Sequence, residues 1–475
     1  MNALAIWIVV PTIAAIALYS IRRWERLVHV AGLCIAFILA WLAWQLPIGE
    51  TLSLRLGAGF PSLKVAESLT FLGQRFVLSN SNRPVIMLIY LGVGFWLGGA
   101  YLARVDRLFV SLSLAISALQ VAALAAETGW HIPFILELIA IVTVPLLSPP
   151  GKSTSFGAIR FITFQTIGVC LIIFSERWWL GSLNTMSNID GLPVPLLVMG
   201  VGYTLILAVF PFHTWVSMSV EEIDPYTAAF IFYILPTGVC FLMLKNLDSY
   251  LVMGAPPILF AGLRGLGVLM VMVGGMWAAF ERHLGRILAF TALTQTGVLL
   301  LALGLNNATI RNPLPAGILF SQLIPMCIGL ALWALALRII QLHAPDLQID
   351  SARGFARSMP IAAFSLLLAQ FSLSGLPLLA SFPIYTAIWS MLGQHSLRGV
   401  LFFIIGIAFL FAASLRTLAS LTTRGTATRH LLPEGKLHSV VLILGCAILL
   451  VQGLAPQWFS LSLSRLAGIF MGVNP

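Results

Sequence analysis

Apolar runs of helix-spanning length follow one another along almost the whole chain, broken by short turns rich in Gly, Pro, Arg and Ser. A helix needs roughly 20 apolar residues to cross about 30 Å of hydrocarbon. On that criterion the pattern predicts fourteen helices, at about 3–21, 28–47, 84–102, 108–127, 132–148, 157–177, 194–216, 225–246, 258–281, 285–304, 313–340, 357–392, 398–421 and 436–456. No intervening stretch is long enough for a soluble domain, so residues 1–475 read as one all-α, polytopic membrane domain. The first run has no basic segment before it and no small-residue cleavage site after it, and it reads as a helix and not a signal peptide.

Two of these runs are interrupted alike. The seventh contains AVFPFHTW (208–215), with Pro211 where the helix should continue, and the twelfth contains SLSGLPLLASFP (372–383), with Gly375, Pro377 and Pro383. Proline removes a backbone donor and crowds the preceding turn, which breaks or kinks a helix. Broken backbone at membrane depth persists only where protein or water satisfies the freed groups. The interruptions lie five helices apart, in blocks 103–250 and 258–422. Odd spacing inverts the second five-helix block relative to the first, and paired broken helices in inverted repeats mark ion or substrate paths. Residues 49–83 alternate in polarity around turn residues and predict an outer hairpin. The tail 457–475 predicts an amphipathic helix on the outer surface.

Composition narrows the class further. The chain is 59% hydrophobic and 9% charged, with a mean hydropathy of +1.00, values that exclude a soluble globular protein. The net charge of +10 follows membrane topology, not a nucleic-acid footprint. With the N-terminus outside, sixteen of the 26 basic residues fall on the cytoplasmic side and nine outside, with Arg264 near a helix end. The positive-inside rule then places both termini on the outer side of a cytoplasmic (inner) membrane. The five cysteines lie singly within apolar helices and read as packing residues. No metal-ligand cluster, dinucleotide fingerprint or phosphate loop is present, so cofactors, if redox chemistry is involved, belong to other chains.

Few residues remain that could carry chemistry. Glu137, in WHIPFILEL (130–138), is the one carboxylate well inside a predicted helix. Such a group costs roughly 2.5–3.5 kcal/mol on insertion scales and normally serves protons or ions. His213 follows the first break and can relay protons or cap freed carbonyls. Glu221, Glu222 and Asp224 read as a solvated inner turn. Arg282 and Arg286 form an inner interfacial anchor, and Arg264 reads as snorkelling. Thr204, with Tyr203, Thr237, Thr294, Gln295, Thr296, Gln370 and Tyr385, leaves a thin polar trail. Hydroxyls and amides hold water but cannot store a proton as a charge.

The motifs WHIPFILEL, AVFPFHTW, FERHLGRILAFTALTQTG (280–297) and SLSGLPLLASFP resemble, in this order, those of the antiporter-like proton-conducting subunits. These occur in respiratory complex I (NADH-quinone oxidoreductase), Mrp-type sodium/proton antiporters, membrane-bound hydrogenases and a bicarbonate-accumulating system. The likeness covers roughly residues 75–422. It implies that Glu137 is the fifth-helix glutamate that partners a pumping lysine, that His213 is the histidine of the PFHTW-type segment, and that Arg286 is the arginine after the ninth helix.

The departures concern the lysines. The chain has only Lys64, Lys152, Lys245 and Lys436, none mid-way along an apolar run. The family's seventh-helix lysine falls at Ile206, the eighth near Pro236–Gly238, and the twelfth-helix charge near Tyr385. The eleventh helix has no lysine or histidine, only Arg338 at its inner end. Ser217, Met218, Ser219 and Val220 stand where an acidic–histidine motif would end. The resemblance thus implies a membrane subunit of a complex I-like or hydrogenase-like ion-translocating complex, with other membrane subunits and the lipid bilayer as partners. The missing lysines imply a degenerate proton pathway and a structural or docking role. An active proton or cation transporter using water wires, and the membrane partner of a soluble zinc enzyme in a bicarbonate-accumulating complex, are the alternatives.

Overall fold

The computed structural model describes residues 2–49, 51–52, 63–71, 73–127, 129, 131–149, 151, 155–182, 194–252, 257–306, 313–343, 346–423 and 435–472. It is mostly helical: α1 (Val10–Ser20, preceded by a π-helical turn Ala5–Val9), α2 (Glu25–Gln45), α3 (Arg83–Ala103), α4 (Phe109–Ala125), α5 (His131–Leu147), α6 (Phe156–Ser182), α7 (Val194–Ile206), α8 (Thr214–Glu222) and α9 (Pro225–Val252). There follow α10 (Pro257–Phe280), α11 (Leu284–Gly304), α12 (Pro313–Gln341), α13 (Phe355–Ser358), α14 (Pro360–Leu373), α15 (Phe382–Gly393), α16 (Leu397–Thr422), α17 (Lys436–Leu454) and α18 (Pro456–Phe470). Among the described residues nine helices are long and apolar enough to cross a membrane, and five shorter ones are apolar.

Burial sorts them into a centre and a shell. The α11 span is wholly buried, and the α12 and α9 spans are 89% and 83% buried; the α17, α2 and α16 spans are 28–33% buried. An all-round apolar helix at the centre packs against other helices, while the shell helices turn apolar faces such as Trp41, Leu401 and Val440 outward. Close approach is bought with missing side chains. A Cβ on Gly275 of α10 would lie 2.0 Å from the Gly406 carbonyl of α16, so the two backbones touch.

Each interrupted run is two helices. The seventh splits into α7 and α8 around residues 207–213, which include Pro211 with a cis Phe210–Pro211 peptide and Ala208 at φ +53°. The twelfth splits into α14 and α15, with Gly375 (φ +75°), Pro377 and Leu378 (φ +72°) in the gap. Pro383 does not break a helix. It stands in the first turn of α15, where its missing N–H has no partner to lose. Pro145, Pro236 and Pro325 lie inside α5, α9 and α12 without dividing them.

In 49–83, β1 (Thr51–Leu52) pairs with β2 (Leu63–Lys64), and β3 (Ser68–Phe71) forms a hairpin with β4 (Gln74–Val77). The tail helix α18 buries Leu463, Ala467 and Phe470, with Phe470 against Phe320 of α12.

Candidate functional site: a neutral polar axis

Helix breaks free carbonyls, and here glutamine side chains take them. The last residue of α7 is Ile206, and its carbonyl accepts from Gln165 Nε2 of α6 at 3.0 Å. The last residue of α14 is Leu373, and its carbonyl accepts from Tyr385 Oη at 2.8 Å and from Gln295 Nε2 of α11 at 3.2 Å. Gln295 Nε2 also reaches Tyr385 Oη at 3.1 Å, and Gln322 Nε2 of α12 donates to Gln295 Oε1 at 2.6 Å. Further along, Gln370 Nε2 donates to Thr417 Oγ1 at 3.3 Å.

Near Gln165, Gln120 Nε2 donates to Ile234 O of α9 at 2.7 Å. A Cβ on Gly238 would meet Gln120 Nε2 at 2.3 Å, so this amide fills the space a side chain there would need. Gln120, Gln165, Ile206 and Gly238 together wall a cavity of ≈20 Å³, room for about one water. Gln120 Oε1 and Gln322 Oε1 are buried without a protein partner, and both can accept from water. Gln120, Gln165 and Gln322 were not signalled by the motifs. A glutamine in mid-run of an otherwise apolar helix is the signal that finds them.

The sequence-predicted residues are brought together only in part. Gln295 and Tyr385 are bonded, as above. Glu137 is half-buried at the α5–α6 contact, where Thr166 Oγ1 donates to its Oε1 at 2.7 Å. Its neighbour Leu136 faces the glutamine cavity instead. His213 opens α8, stacked on Phe210 (5.5 Å) and tilted against Phe290 of α11 (6.1 Å). Thr204 donates to Val201 O within its own helix and lines a separate apolar cleft of ≈290 Å³ with Tyr203 and Asn246. Among the described residues no hydrogen bond joins Glu137, His213 or Thr204 to the Gln295–Tyr385 pair.

Some expectations are corrected. Glu137 is not the one interior carboxylate: α6 runs on to Ser182, which puts Glu176 inside it, half-buried with Oε2 lacking a partner. Glu222 is no solvated group. Its carboxylate accepts from the Phe156 and Gly157 amides at 3.1 Å each and from Ser155, closing the first turn of α6. Arg286 joins Glu221 (2.7 Å) to Glu281 (3.6 Å) across the end of α8, whereas Arg282 is exposed and its carbonyl accepts from Ile349 N.

Several cations cap helix ends. Lys245 Nζ donates to Leu124 O and Ala126 O at the end of α4 (2.6 and 2.9 Å), Arg264 to Gly304 O at the end of α11 (2.8 Å) and Arg338 to Ala103 O at the end of α3 (3.1 Å). Arg416 does the same for Ala279 of α10, and Arg83 for Ala43 of α2. Arg264 therefore serves a carbonyl and does not simply snorkel. Among the described residues no group of three metal-ligating side chains exists.

Residues 160–416 match the family described as NADH:quinone oxidoreductase/Mrp antiporter, transmembrane. The chain is similar to NADH-quinone oxidoreductase subunit N of Cytophaga hutchinsonii, 24% identical over 195 residues, which take in 40% of this chain and 40% of that relative. By fold it resembles a chain of the archaeal membrane-bound sulfane sulfur reductase, with a TM-score of 0.78 and 16% identity over 98% of this chain and 97% of that one. A chain of the Mrp complex from Dietzia gives a TM-score of 0.74, also at 16% identity, over 98% and 97%.

Proposed function

Because the chain belongs to the NADH:quinone oxidoreductase/Mrp antiporter transmembrane family, we propose that it is an antiporter-like membrane subunit of a complex I-like or membrane-bound-hydrogenase-like ion-translocating complex. Its own proton pathway is degenerate, and its role is structural or docking. We read the bundle as fourteen spans with inverted blocks at 103–250 and 258–422, in the inner membrane with both termini outside.

One observation carries the degenerate pathway. The fully buried polar side chains around the breaks are amides and hydroxyls, among them Gln120, Gln165, Gln295, Gln322, Gln370 and Tyr385, each at most 6% exposed, while the one imidazole there, His213, is only half-buried and bonded to none of them. A pathway that works by alternating charge needs groups that hold a proton as charge, and a neutral amide changes no charge near pH 7. Ile206, where the likeness places one lysine, and Gly238, at the end of the Pro236–Gly238 stretch near which it places another, wall the cavity with Gln120 and Gln165. Glu137 faces a threonine hydroxyl, not a cation.

The test is proton uptake by vesicles carrying the whole complex, wild type against Glu137→Gln, with assembly checked by blot. Uptake should stay nearly unchanged. Normal assembly with a large loss of uptake would refute the reading and favour conduction by water, for which the ≈20 Å³ cavity beside two glutamines gives room.

A further inference from the structure

A second cleft lies away from the polar axis, where the start of α10 meets the α15–α16 turn. It encloses ≈630 Å³, within the ~300–1,000 Å³ of small-molecule sites. Two arginines, Arg264 and Arg398, and the imidazole of His395 line one end; Val268, Met272 and Phe402 line the other. Among the described residues no carboxylate forms an ion pair with any of the three. The crowding is felt: burial, then the Arg264 charge, lowers the pKa of His395 in the turn outside the helices. The 26-residue helix α16 starts in the same cleft, directing its positive end there.

Arg264 lies seven residues, about 10 Å, along α10 from Pro257. Beside it Ala261 and Gly265 are exposed, and a Cβ on Gly265 would meet nothing within 4 Å. The cleft thus opens through the apolar shell, with Leu269 and Phe402 also exposed at 37% and 46%.

We propose that this cleft binds an anionic phospholipid of the surrounding membrane, its phosphate among Arg264, His395 and Arg398 and one acyl chain along Val268, Met272 and Phe402. A phosphate supplies the counter-charge that the described protein does not, and arginine is suited to it. A free anion would leave the apolar floor uncovered. A zwitterionic headgroup would bring a further cation beside the two arginines.

The test titrates the purified full chain in detergent with dioleoyl phosphatidylglycerol, dioleoyl phosphatidylcholine and chain-free glycerol phosphate, reading the dissociation constant of the first ligand by native mass spectrometry. Phosphatidylglycerol should bind on the order of tenfold more tightly than phosphatidylcholine. The preference should fall to parity in the His395→Gln/Arg398→Gln double variant and persist in an Arg353→Gln control on another loop. Arg264→Gln should also lose it, but Arg264 holds Gly304 O as well, so the double variant decides. Equal binding of the two lipids to wild type, or an undiminished preference in the double variant, overturns the proposal. Glycerol phosphate binding as tightly as the lipid would overturn it in favour of a free-anion site.

Discussion

Leu373 O shows how a break at membrane depth is held. It accepts from a phenol and an amide, and that amide is in turn fixed by Gln322. Removing one donor should cost less than removing the junction. Tyr385→Phe leaves Gln295 in place and should cost about 1 kcal/mol. Gln295→Leu strips one donor from Leu373 O and the acceptor from Gln322 Nε2, leaving buried groups unpaired at about 1–3 kcal/mol. Thermal loss of helical circular dichroism in detergent should therefore rank Gln295→Leu below Tyr385→Phe, and both below wild type. The reverse order would mean that Gln295 is not the centre of this network.

At the scale of elements, charge in this protein serves helix ends. Carbonyls of the last turn carry partial negative charge without intrahelical donors, and lysine or arginine there satisfies them. Lys245, Arg338, Arg416, Arg264 and Arg83 do this for α4, α3, α10, α11 and α2. At the other end of α11 the cap is His283, whose Nδ1 accepts from Arg286 N at 3.3 Å. Burial lowers the pKa of His283 below its usual 6.5, against the raising effects of Glu221, Glu281 and Asp346 and with Arg286 adding to the lowering. The folded value lies below the unfolded one, so the cap's contribution is present above about pH 6.5 and is lost as pH falls through the folded value. A protonated Nδ1 can no longer accept. The melting temperature of wild type should drop more between pH 7.5 and 5 than that of His283→Asn, which keeps an acceptor suited to an N-cap. Parallel curves would show that His283 does not titrate in the cap.

For the whole molecule, the even distribution of apolar residues over the shell helices sets how the bundle sits in lipid, and the basic residues set which way round. Sixteen basic residues against nine predict that the α15–α16 turn is outside and the end of α16 inside. On a background lacking the five native cysteines, Gln394→Cys should react with an impermeant maleimide in intact cells and Thr423→Cys should not. Labelling of both from outside would contradict the assignment.

That the chain is a succession of apolar helices needed only the sequence, because burying backbone in hydrocarbon leaves helix as the one way to pair an isolated segment's polar groups. The interruptions at Pro211 and around Gly375 were legible for a similar reason, since proline's missing donor acts locally. So were Gln295 and Tyr385 as members of a polar trail, though not as partners. Which side chains meet was beyond the sequence. That Gln165 finds Ile206 O, 41 residues on, and Gln120 finds Ile234 O, 114 residues on, depends on how the helices are packed. Pro383, read locally as a breaker, starts a helix because the chain has already turned at Leu378. Glu137 and Glu176 illustrate the same limit: sequence gives a carboxylate in an apolar run, but only tertiary packing decides whether it faces a cation, a hydroxyl or no partner, since that depends on the rotation of one helix against its neighbours.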